Sequence, residues 1–245
     1  MEYDFSVGAR GNFGPDIADH DYPPSEWTVD ELVSALSGDR SGPVPAYDDE
    51  AILDRIRSDP TGSDAVSDLL ESAEADREES PPSLTASMYL EISRTGNRTR
   101  YEDPEGTRKG RLRRFALAEC FEQEGRYLDP VLDYAWAICE QSTWVTPAIL
   151  PQEQSIDGLP VEVPPDNRWV ALGSSATAHL LAEVDYLLGD RLHPALRTKI
   201  RSEIDDQILT PYERREDIWW MNSPTNNWNA VANANVAMAA MYVED

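Results

Sequence analysis

The sequence predicts an all-α protein built of helix hairpins, preceded by an acidic N-terminal helical arm. Three observations lead there. Apolar residues recur at helical spacing beyond Pro82, as in Val131, Leu132, Ala135, Ile138 and Cys139, and again in Leu180, Leu181, Val184, Leu187 and Leu188. Helix starts and stops are marked by Asp-Pro and His-Pro pairs and by glycines. No strand pattern longer than Leu159 to Val163 competes with them.

Taken in order, residues 1–82 form the arm, with 21 acidic against 5 basic side chains. Pro23, Pro24, Pro43, Pro45 and Pro60 punctuate it. Between them short helices are expected at 28–37, opened by a capping box from Thr28 to Glu31, at 48–57 and at 63–78. After Pro81 and Pro82 longer helices are expected at 83–94, 105–124, 128–141, 174–188, 194–208 and 226–243, the second domain spanning 83–245. Pro104, Pro130 and Pro194 stand near first helical positions behind Asp103, Asp129 and His193, and Gly125 and Gly189 follow helix ends. The six helices pair as three hairpins. The Pro-rich stretch 144–173 is a long loop, and loops of that length inside a domain usually carry function or cover something.

A chain of 245 residues at 40% hydrophobic content has enough apolar side chains for one large core, or a domain with an appendage. Its formal net charge is −25, from 46 acidic and 21 basic residues, and Lys109 and Lys199 are the only lysines. Such an acidic, Lys-poor surface suits a salt-saturated cytoplasm, where the Debye length falls to about 3 Å and self-repulsion is screened. The N-terminus lacks a basic start followed by an apolar run, and no segment approaches the ~20 apolar residues of a membrane span, so a cytoplasmic protein in a high-salt organism is expected, with no membrane partner.

No cofactor is expected either. Nothing has metal-ligand spacing, a Gly-rich phosphate loop or a Gly-x-Ser-x-Gly elbow. His20 in the arm, His179 in an apolar helix and His193 at a helix start read as structural. Cys120 and Cys139 lie on neighbouring helices about 5 and 13 residues from their turn; at about 1.5 Å per residue they are offset by roughly 12 Å, too far for a disulfide. Basic residues concentrate only between Arg94 and Arg114, eight against three acidic ones, without the aromatic interleaving of a nucleic-acid surface. These arginines fit carboxylate or sulfate recognition through Arg94 and Arg98, or pairing with the acidic arm.

The densest functional signal is WWMNSPTNNWNAVANAN, residues 219–235, with six asparagines and three tryptophans. Flat indole faces at Trp219, Trp220 and Trp228 suit sugar rings. Asn226 and Asn227 fall at the mouth of the last helix, where free N–H groups favour anions. An amide neutralises a carboxylate without bringing a charge of its own. Asn229, Asn233 and Asn235, lying among alanines, read instead as bonds between helices, and one of Trp219 and Trp220 as core.

Together with RTGNRTRYEDP (94–104) and CEQSTWVTPA (139–148), the stretch LLGDRLHPALRTKIRSEIDDQILTPYERREDIWWMNSPTNNWNAV (187–231) resembles heparinase II/III-like polysaccharide lyases and the related oligoalginate lyases. The resemblance covers the chain from about Ser83 onward. It implies a partial (α/α) toroid with a substrate groove across the inner helix ends, and cleavage of uronic-acid glycans by β-elimination. In relatives of the alginate-lyase type an Asn-Asn-His sequence stands at this site, its second Asn bridging the substrate carboxylate. The match makes Asn227 the carboxylate-neutralising catalytic residue, with Trp228 in place of the histidine. Asn226, Trp219, Trp220, Trp228, Trp144, Arg94 and Arg98 are the expected substrate-binding residues.

Two features depart from the family. Its acid/base tyrosine lies well beyond the NNW site, after the point where this chain stops at Asp245, and Ile149 stands where many relatives have histidine after Pro-Ala. The expectation is therefore a toroid portion inactive alone. It would bind an anionic polysaccharide or oligosaccharide and either self-associate or be completed by a second polypeptide. A non-catalytic carbohydrate-binding protein, or a split or decayed enzyme, is the alternative. A glycoside hydrolase on the same architecture would need a carboxylate pair, for which Glu213, Glu216 and Asp217 are the acids near the tryptophans.

Overall fold

The computed structural model describes residues 49–221 and 226–243, all within one unit spanning Gly42–Asp245. The expected helix at 28–37, His20 and most of the acidic arm lie outside the described residues. Those that are described form a mostly helical fold.

Two capped helices open it. Asp49 caps α1 (Glu50–Ser58) by accepting from the amide of Ile52, and Asp59 both ends α1 and caps α2 (Pro60–Asp76), with Pro60 at the first position. Gly62 is needed at this junction, since a Cβ there would lie 2.2 Å from the carbonyl oxygen of Ile56. The helix expected at 83–94 is instead two short pieces, α3 (Ala86–Tyr89) and α4 (Glu91–Thr95), ended by Gly96 in the left-handed region.

The next helix corrects the reading of Pro104. Helix α5 runs Thr99–Glu122, so Pro104 is internal and not at the start. Proline in a helix interior removes one i→i−4 hydrogen bond, a cost of about 3 kcal/mol or more. The turn ahead of it is offset by packing: Tyr101 is buried with its ring edge-on to Tyr89, and the Tyr89 hydroxyl donates to the Val145 carbonyl at 2.8 Å.

Helix α6 (Leu128–Cys139) returns antiparallel to α5 and buries Val131, Ala135, Ile138 and Cys139 as the spacing predicts. The tight connection is organised by Glu119, fully buried, which accepts from the amides of Gly125 and Tyr127 at 2.9 and 3.2 Å and from the Arg191 guanidinium.

The long loop contains a two-residue hairpin, β1 (Ser155–Ile156) against β2 (Leu159–Pro160), turned by Asp157 and Gly158 at positive φ. The strand pattern stops at Pro160, which has no N–H for a ladder.

Helix α7 (Leu172–Leu188) is the centre of the fold, buried nearly all round, including Leu180, Leu181, Val184, Leu187 and Leu188. It forms the second hairpin with α8 (Pro194–Ile204), which is capped by the His193 imidazole. The predicted continuation to 208 changes character: Asp205–Leu209 is a π-helical turn, followed by α9 (Thr210–Arg214). The last described helix, α10 (Asn227–Val243), packs along α7. Helices α2, α5, α7 and α10 thus pack successively, while α6 packs on α8 behind them.

Buried ions tie the elements together. Asp185 of α7 has no exposed side-chain surface and accepts from Arg197 at 2.7 Å and Arg201 at 2.9 Å, and Arg201 also donates to the Val243 carbonyl at the end of α10. Removing Asp185, the buried member, costs about 3–5 kcal/mol, because it takes the shared carboxylate from both arginines. Cys120 and Cys139 are buried free thiols. No described helix is long and apolar enough to cross a membrane.

Candidate functional site

The tryptophan segment folds as a turn, with the amide of Met221 bonded to the Ile218 carbonyl. Ile218 and Trp220 go inward. Trp220 is 0% exposed and its indole N–H donates to the Val170 carbonyl at 2.9 Å, at the end of the long loop. Trp219 goes outward, 48% exposed, and its ring lies 5.3 Å from that of Trp228 at an interplanar angle of 45°.

Trp220 is therefore corrected from sugar platform to core residue, since a wholly buried indole offers no face. Trp144 is corrected likewise: it is buried, its N–H donates to the Ile138 carbonyl at 3.0 Å, and its backbone amide is held by Gln207.

Asn226 acts as a cap, its side-chain oxygen accepting from the Trp228 amide at 2.8 Å and its carbonyl from Asn229. That commits its amide oxygen to the helix. Asn227, the first residue of α10, is exposed, and its side chain has no hydrogen-bond partner among the described residues. The three later asparagines bond between elements. Asn229 donates to the carbonyls of Trp220 and Met221, Asn233 accepts from the Tyr212 hydroxyl at 2.8 Å, and Asn235 meets His179 and Ser175 at 3.3 Å each. The candidate site is thus reduced to Trp219, Trp228 and Asn227, beside a frame fixed by Asn226, Asn229 and Trp220.

Among the described residues, no hydrogen bond, ion pair or ring contact joins Arg94 or Arg98 to it. Arg94 is exposed on α4, and Arg98 pairs with Glu102 at 3.0 Å. The basic stretch is largely spent inside the molecule: Arg111 and Arg114 meet Asp76, Arg100 meets Glu91, Lys109 meets Glu105, and Arg113 meets Glu183. Arg108, buried, donates to the carbonyls of Pro82 and Ala137 at 2.7 and 2.9 Å. The pairing with Asp76 is the intramolecular alternative left open by the sequence.

One residue that sequence reasoning missed, Arg215, completes the frame. Arg215 lies over the Trp169 ring at 5.0 Å, donates to the carbonyls of Asn167 and Arg168, and holds Asp217 through two bonds of 2.8 and 2.7 Å. It stitches the end of the long loop to the turn that presents Trp219. The only local signal was an Arg pair ahead of acids; its partners lie nearly fifty positions upstream. Hydrogen bonding to Arg215 holds the Asp217 carboxyl below its usual range. A general acid needs the opposite shift.

His179 stacks on Tyr242 and His193 caps α8, both structural as expected. Among the described residues no group of His, Cys, Asp and Glu is arranged to hold a metal. No protein-family model matches the chain, and no curated protein matches it.

Proposed function

We propose that this chain is a toroid-forming portion of a heparinase II/III-like polysaccharide lyase that acts on uronic-acid-containing glycans. The observation that carries the reading is the exposed amide of Asn227 at the first position of α10, two elements of the same site being the neighbouring Trp219 and Trp228 rings. Elimination requires loss of the weakly acidic C5 proton. Neutralising the attached carboxylate with hydrogen-bond donors stabilises the carbanion-like transition state. Asn227 supplies such donors beside the N-terminal backbone amides of the helix, and the indoles supply stacking surface. The successive packing of α5, α7 and α10, with α6 on α8 behind, supports an (α/α) toroid segment. The segments that resemble the family contain no matched acid/base tyrosine, so carboxylate neutralisation and binding are the roles proposed for this chain. Exposed Val231 and Met241 on α10 support a second polypeptide or second copy covering that face. The acidic surface supports adaptation to high salt.

Carbohydrate binding without turnover is the second reading, favoured by an aromatic pair that needs no catalytic group to hold a sugar. Glycoside hydrolysis is disfavoured by the commitment of Asp217 to Arg215. The test measures binding of alginate and heparan sulfate oligosaccharides together with absorbance of the unsaturated product. In a complete version of the enzyme, Asn227→Ala is expected to cut turnover by about 10²- to 10³-fold, the usual effect of losing one transition-state donor, and to weaken binding less. Near-normal turnover in the variant overturns the assignment. Binding with no turnover even in that complete version selects the second reading, and neither binding nor turnover there overturns both.

A further inference from the structure

A second polar feature lies under the long loop. Arg168 follows the 3₁₀ turn Pro165–Asn167, and its Nη1 donates to the Ser142 carbonyl at 3.0 Å, which fixes one corner of the guanidinium. Its other edge is underused. Nη2 lies 3.6 Å from the Glu162 carboxylate, longer than a direct hydrogen bond, and the Glu162 side chain is 88% exposed. Nε is buried and has no partner among the described residues. Buried donors left unpaired are rare and costly in native proteins, and each calls for an explanation.

The surroundings point the same way. Arg168 lines a small recess with Ser142, Thr143, Gln154, Val161 and Val163. Next to Ser142, both side-chain amide atoms of Gln141 are buried without partners among the described residues. The Gln141 carbonyl is held by Gln207, which lies in the π-helical turn Asp205–Leu209. Such turns occur often at functional sites. Asp206 is also near enough to Arg168 to feel its charge, yet makes no hydrogen bond with it.

We propose that the Nε–Nη2 edge of Arg168 is a carboxylate-binding subsite that Glu162 guards as an internal competitor. That edge carries two parallel N–H donors, the geometry that accepts a carboxylate bidentately, and Lys cannot reproduce it. The loose contact to an exposed Glu is one that an incoming carboxylate of a small molecule displaces. If the lyase reading holds, the ligand is the carboxylate of an acidic sugar; this identification rests on that reading, while the subsite itself does not.

The experiment titrates the full chain with sodium D-glucuronate, and with glucose as the neutral control, following heat or amide chemical shifts. Glucuronate is expected to bind and glucose not. Glu162→Gln removes the competitor and is expected to tighten glucuronate binding several-fold. Arg168→Lys, with its circular dichroism unchanged, is expected to weaken it by about tenfold or more. No glucuronate binding, unchanged affinity in Glu162→Gln, or retained affinity in folded Arg168→Lys overturns the proposal. Should Arg168→Lys fail to fold, the exposed Glu162 variant decides alone. Since the readout is binding of a monosaccharide acid, absence of lyase product leaves this result unaffected.

Discussion

The side-chain amide of Asn229 donates to the main-chain carbonyls of Trp220 and Met221 at 3.2 and 3.0 Å. One amide group thereby joins the first turn of α10 to the turn that carries the tryptophans. Since Trp220 is anchored in turn to Val170, the outward orientation of Trp219 is set by a chain of bonds running from the long loop to the last helix. The exposed ring is presented by buried groups, which is how a binding surface keeps its geometry without being part of the core.

Asn229→Ala removes both bonds and leaves two carbonyls short of a donor. It is expected to lower stability by about 1–3 kcal/mol, the usual cost of an unsatisfied buried polar group. Urea unfolding measures the loss. Tryptophan fluorescence should shift at the same time, because Trp219 and Trp228 lose their fixed relation; unchanged stability and an unchanged spectrum would show that the bonds do not set the turn.

Salt bears on the whole molecule. With 46 acidic and 21 basic residues, repulsion between like charges opposes compaction when screening is withdrawn. The melting temperature is expected to rise steadily from low KCl to molar KCl, as the Debye length shortens to about 3 Å. A melting temperature independent of KCl, or falling with it, would refute high-salt adaptation.

The sequence made the apolar faces of α6 and α7 legible, because burial on one face writes itself into a 3.6-residue period. The breaks were harder to see. Pro104 reads as a helix start by local rules, and only the Tyr101 to Tyr89 contact explains why a turn and more precedes it. The π turn at Asp205–Leu209 follows from Gln207 bonding to the Trp144 amide and Gln141 carbonyl, partners more than sixty residues away. At the candidate site, two adjacent tryptophans look alike in sequence. Which one turns inward depends on an acceptor at Val170, fifty positions upstream. Roles fixed by long-range partners leave little local mark: Asn226, read from the sequence as a substrate-binding residue, is a cap, whereas Asn229, Asn233 and Asn235 were recognisable as bonds between elements from their alanine-rich setting.

The two thiols give a pH prediction. Burial pushes both Cys120 and Cys139 up to about 12, from an ordinary value near 9. Their folded-state pKa exceeds the unfolded one, so the stabilisation is present in full below about pH 9 and is lost as pH rises toward 12. Alkaline titration should show stability falling across that window. At pH 8 a thiol-specific reagent should label neither cysteine in the native protein and both in urea; prompt native labelling would contradict their burial.

The contrast between the paired tryptophans separates structure from function in one experiment. Trp220 fills the core and bonds to Val170, so Trp220→Ala leaves a large cavity and an unpaired carbonyl, and is expected to cost about 3–5 kcal/mol. Trp219 is half exposed and touches Trp228, so Trp219→Ala is expected to change stability by less than about 1 kcal/mol. Its effect should fall on binding, because stacking of a sugar on an exposed indole is lost while the fold remains. Denaturant unfolding and oligosaccharide titration are run on both variants. A Trp219→Ala protein that is stable but no longer binds supports the site. If Trp219→Ala binds as the parent does, the aromatic pair is not the sugar surface, and the reading that rests on Asn227 loses its neighbour.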